Sequence, residues 1–235
     1  MKVMIAFPPL TTGKGTPLLG QNRQFQWFHH PMFIYPMVPA SGATILKHRG
    51  HDVIWADDIA ARRTEQEFIE RLERERPDLL VMETKTPVVK LHWAWVERIK
   101  TRWPDIRTVL VGDHVTALPG ESMGASRIDY LIQGGHHDIL LADLVDALEK
   151  GTPLPAGVWH REGEKIVSTG SWAPKADLDA LPFIDRDLTQ WRLYGEKFYK
   201  HPPFTYTMAG RDCPYGRCRF CSWTTLYPQF SVRSP

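Results

Sequence analysis

Short apolar runs alternate with amphipathic stretches along the first 150 residues. Lys2–Phe7 is continuously apolar after its first residue and is stopped by Pro8-Pro9, which reads as a strand. Pro39–Arg49, with Ala40, Ala43, Ile45 and Leu46, reads as a helix ended by Gly50. Asp52–Ala56 is a second strand, and Asp57 and Asp58 after it read as solvated turn residues. Thr64-Glu65-Gln66-Glu67 has the form of a capping box. The Thr64 hydroxyl caps the helix start, Glu67 reaches back to the Thr64 amide, and Phe68, Ile69 and Leu72 form the apolar side. A third strand follows at Asp78–Met82, a helix at Lys90–Trp103, a fourth strand at Arg107–Val111 and a fifth at Asp129–Gln133. The helix carrying Ile139, Leu140, Leu144, Val145 and Leu148 is closed by Gly151, and Trp93, Trp95 and Trp103 on the preceding helix read as packing residues. Continuous apolar strands between amphipathic helices require a parallel sheet covered on both faces. The fold class is α/β, a doubly wound, Rossmann-like sheet.

The pattern changes after Gly151. Gly157–His160 and Lys165–Thr169, joined through Arg161-Glu162-Gly163-Glu164, read as a hairpin. Ala173–Pro203 is rich in Pro and Asp, as a linker is, and Phe204–Ala209 alternates like a strand. The resulting division is 1–151 for the α/β domain, 152–203 for hairpin and linker, and 204–235 for the start of a second unit.

Composition narrows the function classes. Charged residues make up 24% and hydrophobic ones 43%, ordinary globular usage, and a net charge of +2 forms no basic patch that would bind nucleic acid. No apolar run approaches the roughly 20 residues of a membrane span. Met1–Phe7 is too short for a signal peptide, and unpaired cysteines suit a reducing compartment, so the expectation is a cytoplasmic protein.

In an open parallel sheet, ligands bind outside the carboxyl ends of the strands. The loops there are Pro8–Gly13, which includes Thr11; Glu83–Pro87, with Thr84 and Thr86; Gly112–Pro119, with Asp113, His114, Val115 and Thr116; and Gly134–His137, with Gly134 and Gly135. Any parallel sheet uses Gly and Thr at such turns, so each loop alone is weak evidence. Pro8–Gly13 lacks the G-x-G-x-x-G of a dinucleotide site, and Glu83-Thr84-Lys85 stands where a receiver domain needs its phosphoacceptor aspartate.

All three cysteines of the chain lie within nine residues, Cys213-Pro-Tyr-Gly-Arg-Cys218-Arg-Phe-Cys221. Three thiolates on a short loop suit a 4Fe–4S cluster with one open iron. A zinc site recruiting a histidine such as His201, or thiols without a metal, remain alternatives. With Tyr215 in a C-P-Y-G opening and Phe220 before the last cysteine, the loop resembles that of the radical S-adenosylmethionine (SAM) enzymes, whose usual spacing is C-x3-C-x2-C. Here Arg217 is one extra residue, a small loop-closure cost beside the adaptable Gly216.

Met1–Gly151 resembles the cobalamin-binding domain that precedes the radical SAM core in one large subfamily. The resemblance rests on the early Pro-Pro, Gly50-His51-Asp52-Val53, Pro77-Asp78-Leu79 and Gly112-Asp113-His114-Val115-Thr116, where Asp113 replaces the subfamily's proline. Gly134-Gly135-His136-His137 stands in place of its G-E-G-E, and Leu178–Phe183 is similar to its interdomain segment. The resemblance implies cobalamin contacts at Thr11, Thr84, Thr86, Gly112, Asp113, His114, Val115, Thr116, Gly134 and Gly135. It further implies SAM contacts at Tyr215 and Phe220, and cluster ligation by Cys213, Cys218 and Cys221. The D-x-H-x-x-G motif is absent, so His114 reads as a hydrogen-bonding loop residue, not a cobalt ligand, and His29, His30, His136 and His137 carry no ligand role.

The implied activity is radical SAM chemistry, methyl transfer to an unactivated carbon ahead of ring formation. It would use a small-molecule substrate and an external electron donor such as flavodoxin or ferredoxin. A non-enzymatic cobalamin carrier is the alternative. Only 14 residues follow Cys221, whereas a β/α barrel takes roughly 200. The expectation is therefore a truncated barrel, inactive by itself, with the residues after about 175 poorly ordered or laid opportunistically on the first domain and Tyr206, Phe220, Trp223, Tyr227 and Phe230 lacking a core.

Overall fold

The computed structural model describes residues 1–10, 12–19, 27–30, 33–171, 177–194, 201, 204–205, 207–211, 213–221, 226–227 and 229–235. Its elements run in chain order β1 (Lys2–Phe7), β2 (Thr16–Pro17), β3 (Trp27–Phe28), α1 (Met37–His48), β4 (Asp52–Asp57), α2 (Glu65–Glu75) and β5 (Leu79–Glu83). There follow α3 (Val89–Arg102), β6 (Arg107–Val111), α4 (Asp113–Ala117), α5 (Pro119–Ala125), β7 (Tyr130–Ile132), α6 (His137–Lys150), β8 (Val158–Glu162), β9 (Lys165–Ser168), β10 (Gly210–Arg211) and β11 (Ser231–Val232).

Seven strands form the main sheet in the order β4-β1-β5-β6-β7-β8-β9. The first five are parallel, and β8 and β9 add to the edge antiparallel. The α/β expectation, a mostly parallel doubly wound sheet, holds. The second parallel strand in the chain lies to one side of β1 and the third to the other, so the order switches between β1 and β5.

β1 is buried on both faces, Val3, Ile5 and Phe7 alternating with Met4 and Ala6. Helix α1 packs with α6, while α2, α3 and α5 form another layer. There Phe68 meets Trp95 edge-on at 5.1 Å, and Trp93 Nε1 donates to Ser122 Oγ at 3.2 Å. Pro39 is tolerated in α1 because it sits in the first turn, where its missing N–H breaks no helical bond. The Thr64 capping box forms as read: Glu67 N donates to Thr64 Oγ1, and Glu67 Oε2 accepts from Thr64 N at 2.7 Å. Gly151 closes α6 in the left-handed conformation, φ 65°. Trp93, Trp95 and Trp103 are all buried.

Three expectations are corrected. Asp57 and Asp58 are buried, not solvated: Tyr194 donates to Asp57 Oδ2 at 2.7 Å, and Arg71 lies 3.0 Å from Asp58. No strand covers the described residues of Phe204–Ala209. The extended pairing starts at Gly210–Arg211, which lies antiparallel to Ser231–Val232. Tyr227 does have a core, being 1% exposed, whereas Phe220 and Phe230 are exposed; Tyr206 and Trp223 lie outside the described residues.

The described part of the linker is fastened to the first domain. Asp185 N donates to Thr44 Oγ1 at 3.0 Å, Lys47 pairs with Asp185 at 2.7 Å, Tyr35 bonds Thr189, and Trp55 Nε1 donates to Tyr194 Oη at 3.2 Å. These contacts cover the β4 end of the sheet. Among the described residues no helix is long and apolar enough to cross a membrane.

Phe68 is fully buried at the α2–α3 seam. Replacing it with Ala is expected to cost about 3–5 kcal/mol through lost transfer energy and a cavity, read as a lower urea midpoint with an unchanged m-value.

Candidate functional site

The crevice at the switch point is framed by the ends of β1, β5 and β6. Pro8, Pro9 and Leu10 leave β1 buried, and Trp95 Nε1 donates to the Pro9 carbonyl at 3.1 Å. After β5, Thr84 N bonds the Val111 carbonyl at 2.9 Å, so the ladder to β6 runs one residue past the strand. His92 Nδ1 lies 3.0 Å from Thr84 Oγ1 and 3.3 Å from the Val88 carbonyl oxygen. A carbonyl only accepts, so the proton sits on Nδ1 and His92 Nε2 is a bare acceptor. Burial pushes the His92 ring down to about 4 and keeps it neutral.

Gly112 turns the chain from β6 into α4 at φ 112°, ψ −170°, a region open essentially only to glycine. A Cβ there would collide with the Thr84 carbonyl oxygen, so the loops after β5 and β6 lie backbone to backbone. Asp113 accepts from Lys85 Nζ at 3.4 Å, and His114 Nδ1 lies 3.2 Å from Thr86 Oγ1 with its ring edge-on to Trp93. Val115 is fully buried. Thr116 Oγ1 donates to the Gly112 carbonyl at 2.8 Å and accepts from Gly134 N at 3.0 Å, tying the loops after β6 and β7 together. Thr84, Thr86, Gly112–Thr116 and Gly134 are thus brought together at the carboxyl end of the sheet, while Thr11 lies outside the described residues. Gly135 faces a different neighbour: its N–H donates to the Leu226 carbonyl at 2.7 Å, and a Cβ on it would run into the Tyr227 ring.

Buried polar atoms without a hydrogen-bond partner gather at this end of the sheet. They include Glu83 Oε2, His92 Nε2, His114 Nε2 and both ring nitrogens of His137, which lies close to the Gly134 carbonyl but outside bonding geometry. Such an atom costs about 1–3 kcal/mol if nothing meets it, so the cluster marks a place prepared for polar contact. Burial lifts the Glu83 carboxyl to about 7; Lys85 opposes the shift, and Asp113 and Asp57 add to it. Burial likewise lowers His114 and takes His137 to about 4. The segment read as the loop Gly112–Pro119 is largely the helix α4, so His114 is a helix residue, with Nδ1 held to Thr86 and Nε2 lying 3.6 Å from the Glu121 carboxylate. Periodicity missed Glu83 and His92, because a polar residue at a strand end or in a helix first turn carries no sign of its burial.

Cys213, Cys218 and Cys221 are partly buried and share no disulfide; Cys221 N donates to the Cys218 carbonyl at 3.1 Å. Among the described residues no group of three His, Cys, Asp or Glu side chains converges on a metal-sized position. The donor chemistry of the loop suits iron or zinc, and its three thiols are held at partial exposure. Tyr215 and Phe220, at 66% and 92% exposure, project from it.

The parallel strands follow the flavodoxin-like order, in which ligands are bound outside the carboxyl ends of the strands, and comparison with known proteins narrows the class. Residues 39–142 match the B12 binding domain family. The chain is 27% identical over 231 residues to the anaerobic magnesium-protoporphyrin IX monomethyl ester cyclase of Rubrivivax gelatinosus, covering 87% of this chain and 40% of that protein. It is 25% identical over 174 residues to an uncharacterised methyltransferase of Pyrococcus horikoshii, covering 73% and 37%. Among solved structures, the cobalamin-dependent SAM radical enzyme OxsB with aqua-cobalamin and SAM bound superimposes with a TM-score of 0.68 at 14% identity, over 94% of this chain and 28% of that one. The radical SAM methyltransferase TsrM of Kitasatospora setae gives 0.53 at 17% identity, over 72% and 30%. Residues 39–142 thus match a B12 binding domain, and the proteins that the chain is similar to include radical SAM enzymes that depend on cobalamin. The chain spans about two fifths of the length of the curated relatives it matches.

Two substitutions probe the crevice. Gly112→Ala is expected to destabilise the fold by about 2 kcal/mol or more, from positive-φ strain plus the collision with Thr84. Glu83→Gln tests the raised carboxyl. A native pKa near 7 against an ordinary 4.5 means the native state binds more protons between those values, so this contribution falls as pH rises through that window. The buried histidines act in the opposite sense, so the Glu83 contribution is read as a difference between proteins. Glu83→Gln should match wild type near pH 5 and exceed it by on the order of 1–3 kcal/mol at pH 8. Equal stability at both pH values would disprove it.

Proposed function

We propose that this chain is the cobalamin-binding front of a cobalamin-dependent radical SAM enzyme, with cobalamin seated at the carboxyl end of the parallel sheet and a 4Fe–4S cluster on the cysteine loop. The observation that carries this reading is the conjunction, in one chain, of a B12-binding domain match and three cysteines within nine residues on its C-terminal side. The carboxyl end of the sheet supports it, because Glu83, His92, His114 and His137 concentrate polar side chains there beneath the loops that would meet a ligand rimmed with amide groups, as cobalamin is. Thr84, Thr86, Gly112–Thr116 and Gly134 present backbone and hydroxyl groups beside them. The closeness at Gly112 leaves the loops after β5 and β6 thin enough for a broad ligand to lie across both.

When bound, the cluster would supply an electron for reductive cleavage of SAM, and cobalamin a methyl group for a substrate carbon. The three thiols would hold the cluster, and Tyr215 and Phe220, exposed on the same loop, would flank SAM. Neutral His114, committed to Thr86 through Nδ1, is a hydrogen-bonding partner of the ligand, not a ligand of cobalt. Methyl transfer is the first reading of the whole protein's reaction. Ring formation is the second, favoured by the cyclase among the relatives. A reductant such as flavodoxin or ferredoxin and a small-molecule substrate complete the proposal.

Anaerobic reconstitution should load about four irons and four labile sulfides per chain, and Cys218→Ala should remove them. Stoichiometric zinc without labile sulfide would overturn the cluster. Cob(II)alamin bound to the chain should show no histidine nitrogen splitting in its electron paramagnetic resonance spectrum. A splitting abolished by His114→Ala would overturn the assigned role of that residue.

A further inference from the structure

Arg211 stands two residues before Cys213, yet its side chain is among the most deeply buried charges of the protein. Its guanidinium grips Asp138 with two bonds, Nη1 to Oδ1 at 2.7 Å and Nη2 to Oδ2 at 2.5 Å, and Nη1 also donates to His136 Nδ1 at 3.0 Å. Asp138 belongs to the first turn of α6 and is fully buried. Burial alone would raise its carboxyl, but Arg211 and the Ser41 hydroxyl outweigh that and hold it near 2. Burial and then Arg211 keep His136 neutral, so its Nδ1 stays an acceptor. A bidentate pair of this kind fixes direction as well as distance.

The other flank of the cysteine loop returns to the same place. Gly135 N donates to the Leu226 carbonyl, and the buried Tyr227 ring fills the hollow left by the missing side chain of Gly135. The ring also meets His136 edge-on at 5.0 Å. β10 and β11 close the base of the excursion. The residues before and after the cysteines are therefore both fastened to one five-residue stretch, Gly134–Asp138, which joins β7 to the start of α6. That segment is bonded in turn to Thr116, in the short helix α4 after β6, through the Gly134 amide.

We propose that the turn between β7 and α6 is a seat for the cysteine loop, with Arg211 and Tyr227 as its positioning residues, and that it couples the crevice at the end of the sheet to the cluster loop. The coupling part rests on the cobalamin and cluster reading above; the seat itself does not. Coupling of this kind is reciprocal: whatever ligand binding does to the order of the loop, ordering the loop does to ligand affinity, by the same factor. The path is a contiguous set of contacts, from Thr116 through Gly134 and Gly135 to Tyr227, and from His136 and Asp138 to Arg211.

Hydrogen exchange of the 235-residue chain, read on peptides spanning 213–221, tests both parts. Without added ligand, Arg211→Met and Tyr227→Ala should each speed exchange in this segment tenfold or more, while β1, β5 and β6 keep wild-type protection. Arg211→Lys, which keeps the charge but not the two-pronged grip, should fall between. Hydroxocobalamin should slow exchange at 213–221 in wild type and have little effect on it in Arg211→Met, with affinity changed by no more than the coupling factor. Equal exchange in wild type and both variants would overturn the seat, as would acceleration spread through the whole sheet, which marks a general stabiliser. Cobalamin that binds equally and protects the segment equally in wild type and Arg211→Met would overturn the coupling. Absence of hydroxocobalamin binding to wild type would overturn the functional reading and the coupling together, leaving the ligand-free comparison to decide the seat.

Discussion

Parallel strands all end on the same side, and in this protein that geometric fact gathers the unusual chemistry at one pole. The middle of the sheet is apolar: β1 beyond Lys2 and β5 up to Met82 bury only hydrophobic side chains. Where the strands stop, backbone groups and short polar side chains must find partners within a few residues. Thr84 finds His92, and Thr116 finds the Gly112 carbonyl, while Glu83 Oε2, His92 Nε2 and His114 Nε2 are left without a hydrogen bond, the last 3.6 Å from Glu121. A low-dielectric sheet beneath them explains why the carboxyl is raised and the imidazoles lowered. The same burial that favours the fold makes these groups costly to ionise.

The fold was legible because its elements are local. Each parallel strand is a short apolar run, the Thr64–Glu67 box announces α2, and Gly151 stops α6, so the boundaries fall within a residue or two of the pattern. What the pattern hid was long-range. Asp57 and Asp58 look like turn residues until Tyr194 and Arg71 arrive from elsewhere in the chain to pair with them. The alternation of Phe204–Ala209 suggested a strand, but alternation carries no partner. The pairing available, Gly210–Arg211 with Ser231–Val232, lies further along. Tyr227 was read as stranded, because nothing in a sequence marks a glycine elsewhere in the chain as a hollow for an aromatic ring.

The site divides in the same way. Its glycines and threonines were visible as loop composition. Arg211 was not singled out, although its buried pairing with Asp138 is as deliberate as anything in the crevice. A buried ion pair of this kind is weak evidence for stability as such, since desolvation offsets most of its attraction. It is better evidence for specificity, because removing either partner leaves an uncompensated charge and few other arrangements satisfy the fork. The linker residues Asp185, Thr189 and Tyr194 follow the same logic at the β4 end, a row of polar fastenings that pick one path across an otherwise apolar surface.

The hairpin at the edge of the sheet has a topological effect that its modest size conceals. β8 runs against β7, and β9 runs against β8, so β9 points the same way as the parallel strands, and Ser168 emerges near the level of Trp159 and Leu131. Two reversals cancel. The polypeptide leaves the sheet at the pole where the parallel strands end, and the linker starts there before its described residues reach α1 and β4 at the other edge. An odd number of added strands would have sent it out at the opposite pole, a sheet's height from the turn it must reach. Parity of strand count, not the identity of any side chain, decides at which pole of the sheet the linker begins.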